Sequence, residues 1–438
     1  MSDQPDGRRK LLGYWDLLSI SLGQIVGAGV VILTGIGISI TGHGTPWAFL
    51  LALGIVFLPS LCIAALGAAI PATGGTYTYV RDLLGPRTAV LYLGLLVAGQ
   101  LVLATYALGF AEYADALMPG VNMTLVAAII MTMCFVANIM GIKTAARFQT
   151  FMVGVLLLSL LLFIGFGLPR VDNLQNFTTI SSVMPAGPAA FIAAAFILRY
   201  SMIGSEFISE LGGETRNPGR NIPLVILTSL VLVTIMYVLI ALVATGVLPL
   251  ADVKDKSLAF VAEEVLPPPV YLFFVAGGVM MALVTSLNSI FAWCTKGLYM
   301  ATQDGWLPKG AAVTNSYGTP YRLLTVFYVV GMLPIVTGMT LKYVTILGNA
   351  VGIIFGIIPV LALYTLTDKR PEAYAKASFK LPPLATRLCP LAALLIYAYG
   401  IWLSRDFVGI PGFVALFVYA ALLLLYANWR IDKVSVVR

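Results

Sequence analysis

Within one apolar run, 187–211, stand Arg199, Tyr200, Ser201, Ile203, Gly204 and Glu206. They put a cation, two hydroxyls, a glycine and a carboxylate where almost everything else is hydrocarbon. An ionisable side chain in such surroundings costs several kcal/mol unless it is paired or faces a wet cavity. Arg199 and Glu206 lie seven positions apart, about two helical turns, and so share one face of a regular helix. Two arrangements answer the cost. The helix between them breaks and the charges pair, or Arg199 extends its apolar stem toward a cavity or an outer vestibule. Glu206 likewise has two readings: a proton acceptor in coupling, or a structural group that closes the helix.

A second concentration of unusual residues is Gly23-Gln24-Ile25-Val26-Gly27-Ala28-Gly29-Val30. Each glycine lowers helix stability by about 1 kcal/mol relative to alanine and lets another group approach the backbone. Taken alone, the cluster fits close helix packing. Paired with the disrupted run at 199–206, it predicts two helices that unwind at mid-membrane and line a solute site. Backbone suits a zwitterion. Free N–H groups at a half-helix start attract a carboxylate. Freed carbonyls accept hydrogen bonds from an ammonium group.

The elements that must hold these groups follow from composition. Of the 438 residues 60% are hydrophobic and 10% charged, whereas soluble domains carry about 25% charged residues. That leaves the lipid bilayer as the solvent. A bilayer admits helices or closed barrels, and long continuous apolar runs select helices. Spans are expected at 14–41, 46–70, 88–114, 122–141, 148–168, 187–211, 222–247, 268–302, 321–340, 343–367, 387–404 and 411–429. The chain reads as a single all-α transmembrane domain of about twelve helices, with helices 1 and 6 broken. Two broken helices suggest two five-span repeats, 14–168 and 187–367, with 387–429 supplying two further helices.

Arg170, Lys254, Lys256, Lys342 and Arg405 fall in one set of loops, and Arg199 lies mid-span. The rest of the 26 Lys and Arg residues fall in the other set, together with both termini. By the positive-inside bias both termini are expected in the cytoplasm.

The net charge of +7 is scattered singly, which gives no stripe for nucleic acid. Cys62, Cys134, Cys294 and Cys389 read as small buried hydrophobes without metal spacing. His43 is the only histidine and reads as an exposed loop residue. No nucleophile–base pair, metal cluster or phosphate loop is visible, so no enzyme and no cofactor is expected. Gln100 reads as an interhelical hydrogen-bonding group or a pocket residue. Trp15, Trp306, Trp402 and Trp429 are placed near span ends as an aromatic belt.

Four segments in order then carry a resemblance: Ile25-Val26-Gly27-Ala28-Gly29-Val30; Gly74-Gly75-Thr76-Tyr77-Thr78-Tyr79-Val80; Leu211-Gly212-Gly213-Glu214-Thr215-Arg216-Asn217-Pro218-Gly219-Arg220-Asn221-Ile222-Pro223; and Ser286-Leu287-Asn288-Ser289 with Asp304-Gly305-Trp306-Leu307-Pro308. The chain resembles the amino acid–polyamine–organocation transporters, near their L-type and bacterial amino-acid branches. The resemblance implies a LeuT-type five-plus-five inverted repeat. It implies substrate carboxylate contacts from the N–H groups of Ala28 and Gly29, and ammonium contacts from the carbonyls of Ile25, Tyr200 and Ile203. It also implies an aromatic gate at Tyr200, a site-reaching Tyr237, and Asn288 and Ser289 facing span 1. A span 5 lysine that stands in for a cation in some members is missing, and the matching position is taken as Val155 or Leu156. The coupling ion, H+ or Na+, stays open. The expected activity is secondary transport of small neutral L-amino acids, by exchange or ion coupling. The alternative is a carrier of cationic amino acids or polyamines.

Overall fold

The twelve apolar runs fold as helices or interrupted helices in a computed structural model, which describes residues 11–254 and 256–434. Span 1 is Tyr14–Ile25 and Ala28–Thr41, and span 2 is Thr45–Ala69. Span 3 is Pro86–Gly99 and Val102–Leu117, span 4 is Met123–Ile139, and span 5 is Ile142–Gly167. Span 6 begins as Gly187–Leu198, and span 7 is Pro218–Gly246. Span 8 runs from Pro268 to Gln303, span 9 is Tyr321–Val336 and span 10 is Leu341–Ala362. Spans 11 and 12 lie within Pro383–Arg430, divided at Gly409, whose φ of 64° is left-handed. Among the described residues, extended structure is limited to two isolated bridges, Leu12 with Thr215 and Thr73 with Leu211.

The outward faces are apolar: Phe151, Leu161, Ile235, Leu395 and Phe417 are all exposed. Such surface suits lipid, which makes no demand for polar covering. Inside, the first half of span 1 lies against spans 5, 7 and 8, and span 2 packs along span 7. Span 10 packs on span 3, and span 12 meets it at Gly94 through Tyr419 and Leu423.

Three of the basic residues near span ends are held in ion pairs. Lys296 forms a buried ion pair with Glu214 at 2.8 Å. Arg81 pairs with Asp304 at 3.0 Å, and Arg370 reaches Asp82 at 2.9 Å. The backbone of Leu12 hydrogen-bonds with Glu214 and Arg216, so the start of span 1 is laced to the loop after span 6.

Several expectations need correction. Span 3 is not continuous: it turns at Gln100–Leu101. Span 8 carries a wider π-helical stretch, Phe274–Met280, where Gly277 and Gly278 come up against span 5. Span 5 begins at Ile142, well before residue 148, with Ala145 and Ala146 buried and Lys143, Thr144 and Arg147 exposed in its amphipathic first turns. His43 is half-buried, its ring packed edge-on against Phe177 at 5.2 Å. Trp306 is fully buried and takes no part in an aromatic belt, whereas Trp15, Trp402 and Trp429 are exposed.

Candidate functional site

Both expected breaks are present, and they differ in kind. In span 1 the helix stops at Ile25, Val26 takes φ −78° and ψ 83°, and a new helix starts at Ala28. The first N–H groups of a helix have no acceptor within it, so Ala28, Gly29 and Val30 head the second half with donors available. In span 6 the helix tightens to a 3-10 turn over Arg199–Met202 and passes through Ile203 in extended geometry. It then reverses at Gly204 with φ 143°, a value that a side chain opposes. A second 3-10 segment, Ser205–Glu210, continues the span.

The two breaks meet. A Cβ on Gly29 would lie 2.9 Å from the Cα and Cβ of Ser201, so these backbones touch. The buried Tyr237 spans the junction: its hydroxyl lies 3.1 Å from the Ser201 carbonyl and 3.3 Å from that of Ile25. The structure thus brings Ile25, Gly29, Ser201 and Tyr237 together, with Gly27 alongside next to Ser286. The Ile25 carbonyl also accepts from the Gly27 N–H at 2.9 Å, so it is already engaged.

A polar seam on the far side of span 1 claims Asn288 and Ser289. Ser289 Oγ donates to the Ile20 carbonyl at 3.1 Å, and Ser286 Oγ to the Gly23 carbonyl at 3.1 Å. Gln149 Nε2 donates to Ser289 Oγ at 2.9 Å and to the Thr285 carbonyl at 3.2 Å. Asn288 Nδ2 reaches Gln149 Oε1 at 2.7 Å, and Asn138 Nδ2 reaches Asn288 Oδ1 at 2.9 Å. Asn288 therefore faces spans 4 and 5 rather than span 1; Ser289 faces span 1 as expected. The span 5 group beside the broken helix is Gln149, not Val155 or Leu156. Those two sit two turns further along, with Leu156 buried among apolar side chains and Val155 against span 8. Once span 5 is started at Ile142, the isolated Gln149 in its apolar run is the signal that marks this place.

Next to the span 6 break lies a cavity of about 160 Å3. A single ordered water needs about 10–15 Å3, so there is room for several waters or a small solute. Arg199, Tyr200, Ile203 and Glu206 line it, together with Gln100 of span 3 and Gln24 of span 1. Trp293 closes one wall, stacked on Phe207 at 4.1 Å and donating to Gln24 Oε1 at 3.1 Å. Gly27, Gly29, Val30, Ser201, Gly204 and Tyr237 do not line it. Sequence reasoning missed Gln24, Trp293 and the Tyr397 wall from span 11, because nothing local in a sequence says which helix faces meet.

Arg199 and Glu206 share this cavity without pairing. Glu206 Oε2 turns back to accept the Gly204 N–H at 3.0 Å. Arg199 is 3% exposed, and its Nε and Nη2 have no hydrogen-bond acceptor. Its guanidinium carbon lies 4.6 Å from the Tyr200 ring centroid and 5.8 Å from that of Phe196, contacts that offset part of the desolvation cost. Gln100 donates to its own helix at Leu96 and leaves Oε1 unpartnered; it is a pocket residue, not an interhelical tie. Among the described residues, no group of His, Cys, Asp and Glu could hold a metal ion.

Comparison with known proteins places this chain in a family. The family model described as amino acid permease matches residues 12–429. The methylthioribose transporter of Bacillus subtilis (strain 168) is 26% identical over 92% of this chain and 89% of its own length. The branched-chain amino acid permease BcaP of the same organism is 26% identical over 72% of this chain and 71% of its own. The human cystine/glutamate transporter is 26% identical over 94% of this chain and 84% of its own.

Proposed function

Because the chain belongs to the amino acid permease family, a group of transporters and not enzymes, we propose that it is a secondary active carrier of small neutral L-amino acids, working by alternating access. The observation that carries this reading is the meeting of the two helix breaks beside a largely apolar cavity that also holds polar groups, since interrupted helices are where such carriers hold solutes. The relatives named above are a thiosugar transporter, a branched-chain permease and a cystine/glutamate transporter, so membership alone leaves the solute open. The site's own charges favour a neutral one. A cationic amino acid or a polyamine would add positive charge beside the buried Arg199 guanidinium, whose only carboxylate neighbour in the cavity lining is Glu206.

The coupling we propose is exchange without sodium. Oxygens of span 8 beside the broken helix, those of Thr285 and Ser289, already receive the Gln149 amide, which takes the place a cation would otherwise fill. The five-plus-five repeat, the location in the cell membrane and cytoplasmic termini complete the proposal; the two helix breaks support the repeat, and the positive-inside bias supports the termini. The test is counterflow in proteoliposomes loaded with alanine, in sodium and in choline medium, with competition by serine, arginine and putrescine. Saturable alanine exchange, equal in both media and competed by serine, is expected. Ohmic flux, or competition by arginine and putrescine but not serine, would refute it.

A further inference from the structure

The cavity adjoins both helix breaks. Tyr200 and Ile203 of span 6 line it directly. Tyr106 of span 3 lines it too, and the same ring faces the span 1 break, where a Cβ on Gly27 would lie 3.6 Å from Tyr106 Cε1. Most of the lining is apolar, yet it holds hydrogen-bonding groups that find no partner among the described residues. Arg199 Nε and Nη2 have no acceptor, and Gln100 Oε1 has no donor. Glu206 lines the same cavity, with one oxygen on the Gly204 N–H. Buried polar groups are normally paired within a protein, and a buried cation without an acceptor is costly. Donors and an acceptor left over at one cavity point to a ligand that supplies both.

We propose that this cavity takes the solute's side chain and that the group it recognises there is a carboxamide, which makes the solute glutamine or asparagine. The amide carbonyl takes the Arg199 donors, and the amide nitrogen donates to Gln100 Oε1 and Glu206. The proposal rests on the transport reading and narrows its solute; the α-carboxylate and α-ammonium stay with the breaks of spans 1 and 6. A carboxamide carries two acceptor lone pairs and two donor hydrogens on one neutral group. It therefore suits a lining whose charged side chains are one cation and one carboxylate. A side-chain carboxylate would answer Arg199, but it offers Gln100 Oε1 no hydrogen and sets a second anion beside Glu206. A side-chain ammonium would answer Gln100 and Glu206 and repel Arg199. A hydrocarbon side chain fits the apolar walls and leaves every one of these groups unmet. Sites built around hydrogen-bonding groups reject analogues that lack the partner group far more strongly than apolar sites reject a change of size.

The test uses the full-length purified carrier and three probes: L-glutamine, L-norleucine, which has a hydrocarbon side chain of similar length, and L-glutamate. Affinities are read from thermal-shift titrations of the wild type, Arg199→Leu, Arg199→Lys and Gln100→Leu. The wild type should bind glutamine at least about tenfold more tightly than norleucine or glutamate. Arg199→Leu and Gln100→Leu should each weaken glutamine by about tenfold or more and leave norleucine unchanged or tighter, which also reports that the variant is folded. Arg199→Lys should keep part of the glutamine affinity. A wild type that binds norleucine or glutamate as tightly as glutamine overturns the assignment, and that arm needs no variant to fold. Equal loss of glutamine and norleucine in both leucine variants, or no loss of glutamine, overturns it as well. A wild type that exchanges no amino acid in proteoliposomes would instead overturn the transport reading on which this one rests.

Discussion

On one side of span 1 the seam of Asn138, Gln149, Asn288 and Ser289 closes every donor on an acceptor. On the other, the cavity of Arg199, Gln100 and Glu206 leaves donors and an acceptor unmet. Both are polar and both lie within the apolar bundle, yet they do different work. A closed network fixes helix positions, and its members lose stability when removed because their partners are stranded. An open one leaves hydrogen-bonding capacity unused. Satisfaction, rather than polarity, separates scaffold from site.

Substitutions can break or sharpen this contrast. The largest effect is expected at Lys296, where Lys296→Met removes the cation of a buried ion pair with Glu214. Breaking a buried pair costs about 3–5 kcal/mol, so reversible denaturation in detergent should show a loss of that order. Next comes the seam: Gln149→Leu removes bonds to span 8 and leaves Asn288 Nδ2 without its short acceptor. A loss of about 1–3 kcal/mol is expected, read as a lowered melting temperature, with alanine affinity little changed in the protein that remains folded. Tyr237→Phe deletes one hydroxyl shared by the Ile25 and Ser201 carbonyls. About 0.5–1.5 kcal/mol should be lost, along with an altered exchange rate in proteoliposomes. Smallest in stability, and opposite in meaning, is Arg199→Leu. It removes an unpaired buried cation, so the melting temperature should hold or rise while glutamine exchange is lost. Were Arg199→Leu to destabilise as Gln149→Leu does, the contrast between the two regions would collapse.

Gly29→Val bears on the same comparison from the backbone. Its Cβ would meet the Ser201 backbone, so the variant should disturb the junction of spans 1 and 6 itself. Lowered melting temperature together with lost exchange is expected, whereas lost exchange at full stability would mean that the side chain merely blocks a solute.

Much of the architecture was legible in the residues. Long apolar runs with few charges admit one solvent and one secondary structure, so the helices and their approximate limits follow from lipid thickness and backbone hydrogen bonding alone. The breaks were legible too, because Gly23, Gly27, Gly29 and Gly204 weaken a helix locally and Arg199 and Glu206 are costly in hydrocarbon wherever the chain goes. What the residues left open was which faces meet. The turn at Gln100–Leu101 and the wide turn of span 8 arise from packing against neighbours, as tertiary contacts override helix propensity. Whether Arg199 and Glu206 pair was undecidable along one helix, since the reversal at Gly204 sends Glu206 back onto its own backbone. That Gln149 rather than Leu156 stands beside the broken span 1 depends on how far span 5 slides along span 8. Local sequence thus determined where the helices weaken, and the packing of distant spans decided which polar groups find partners and which do not.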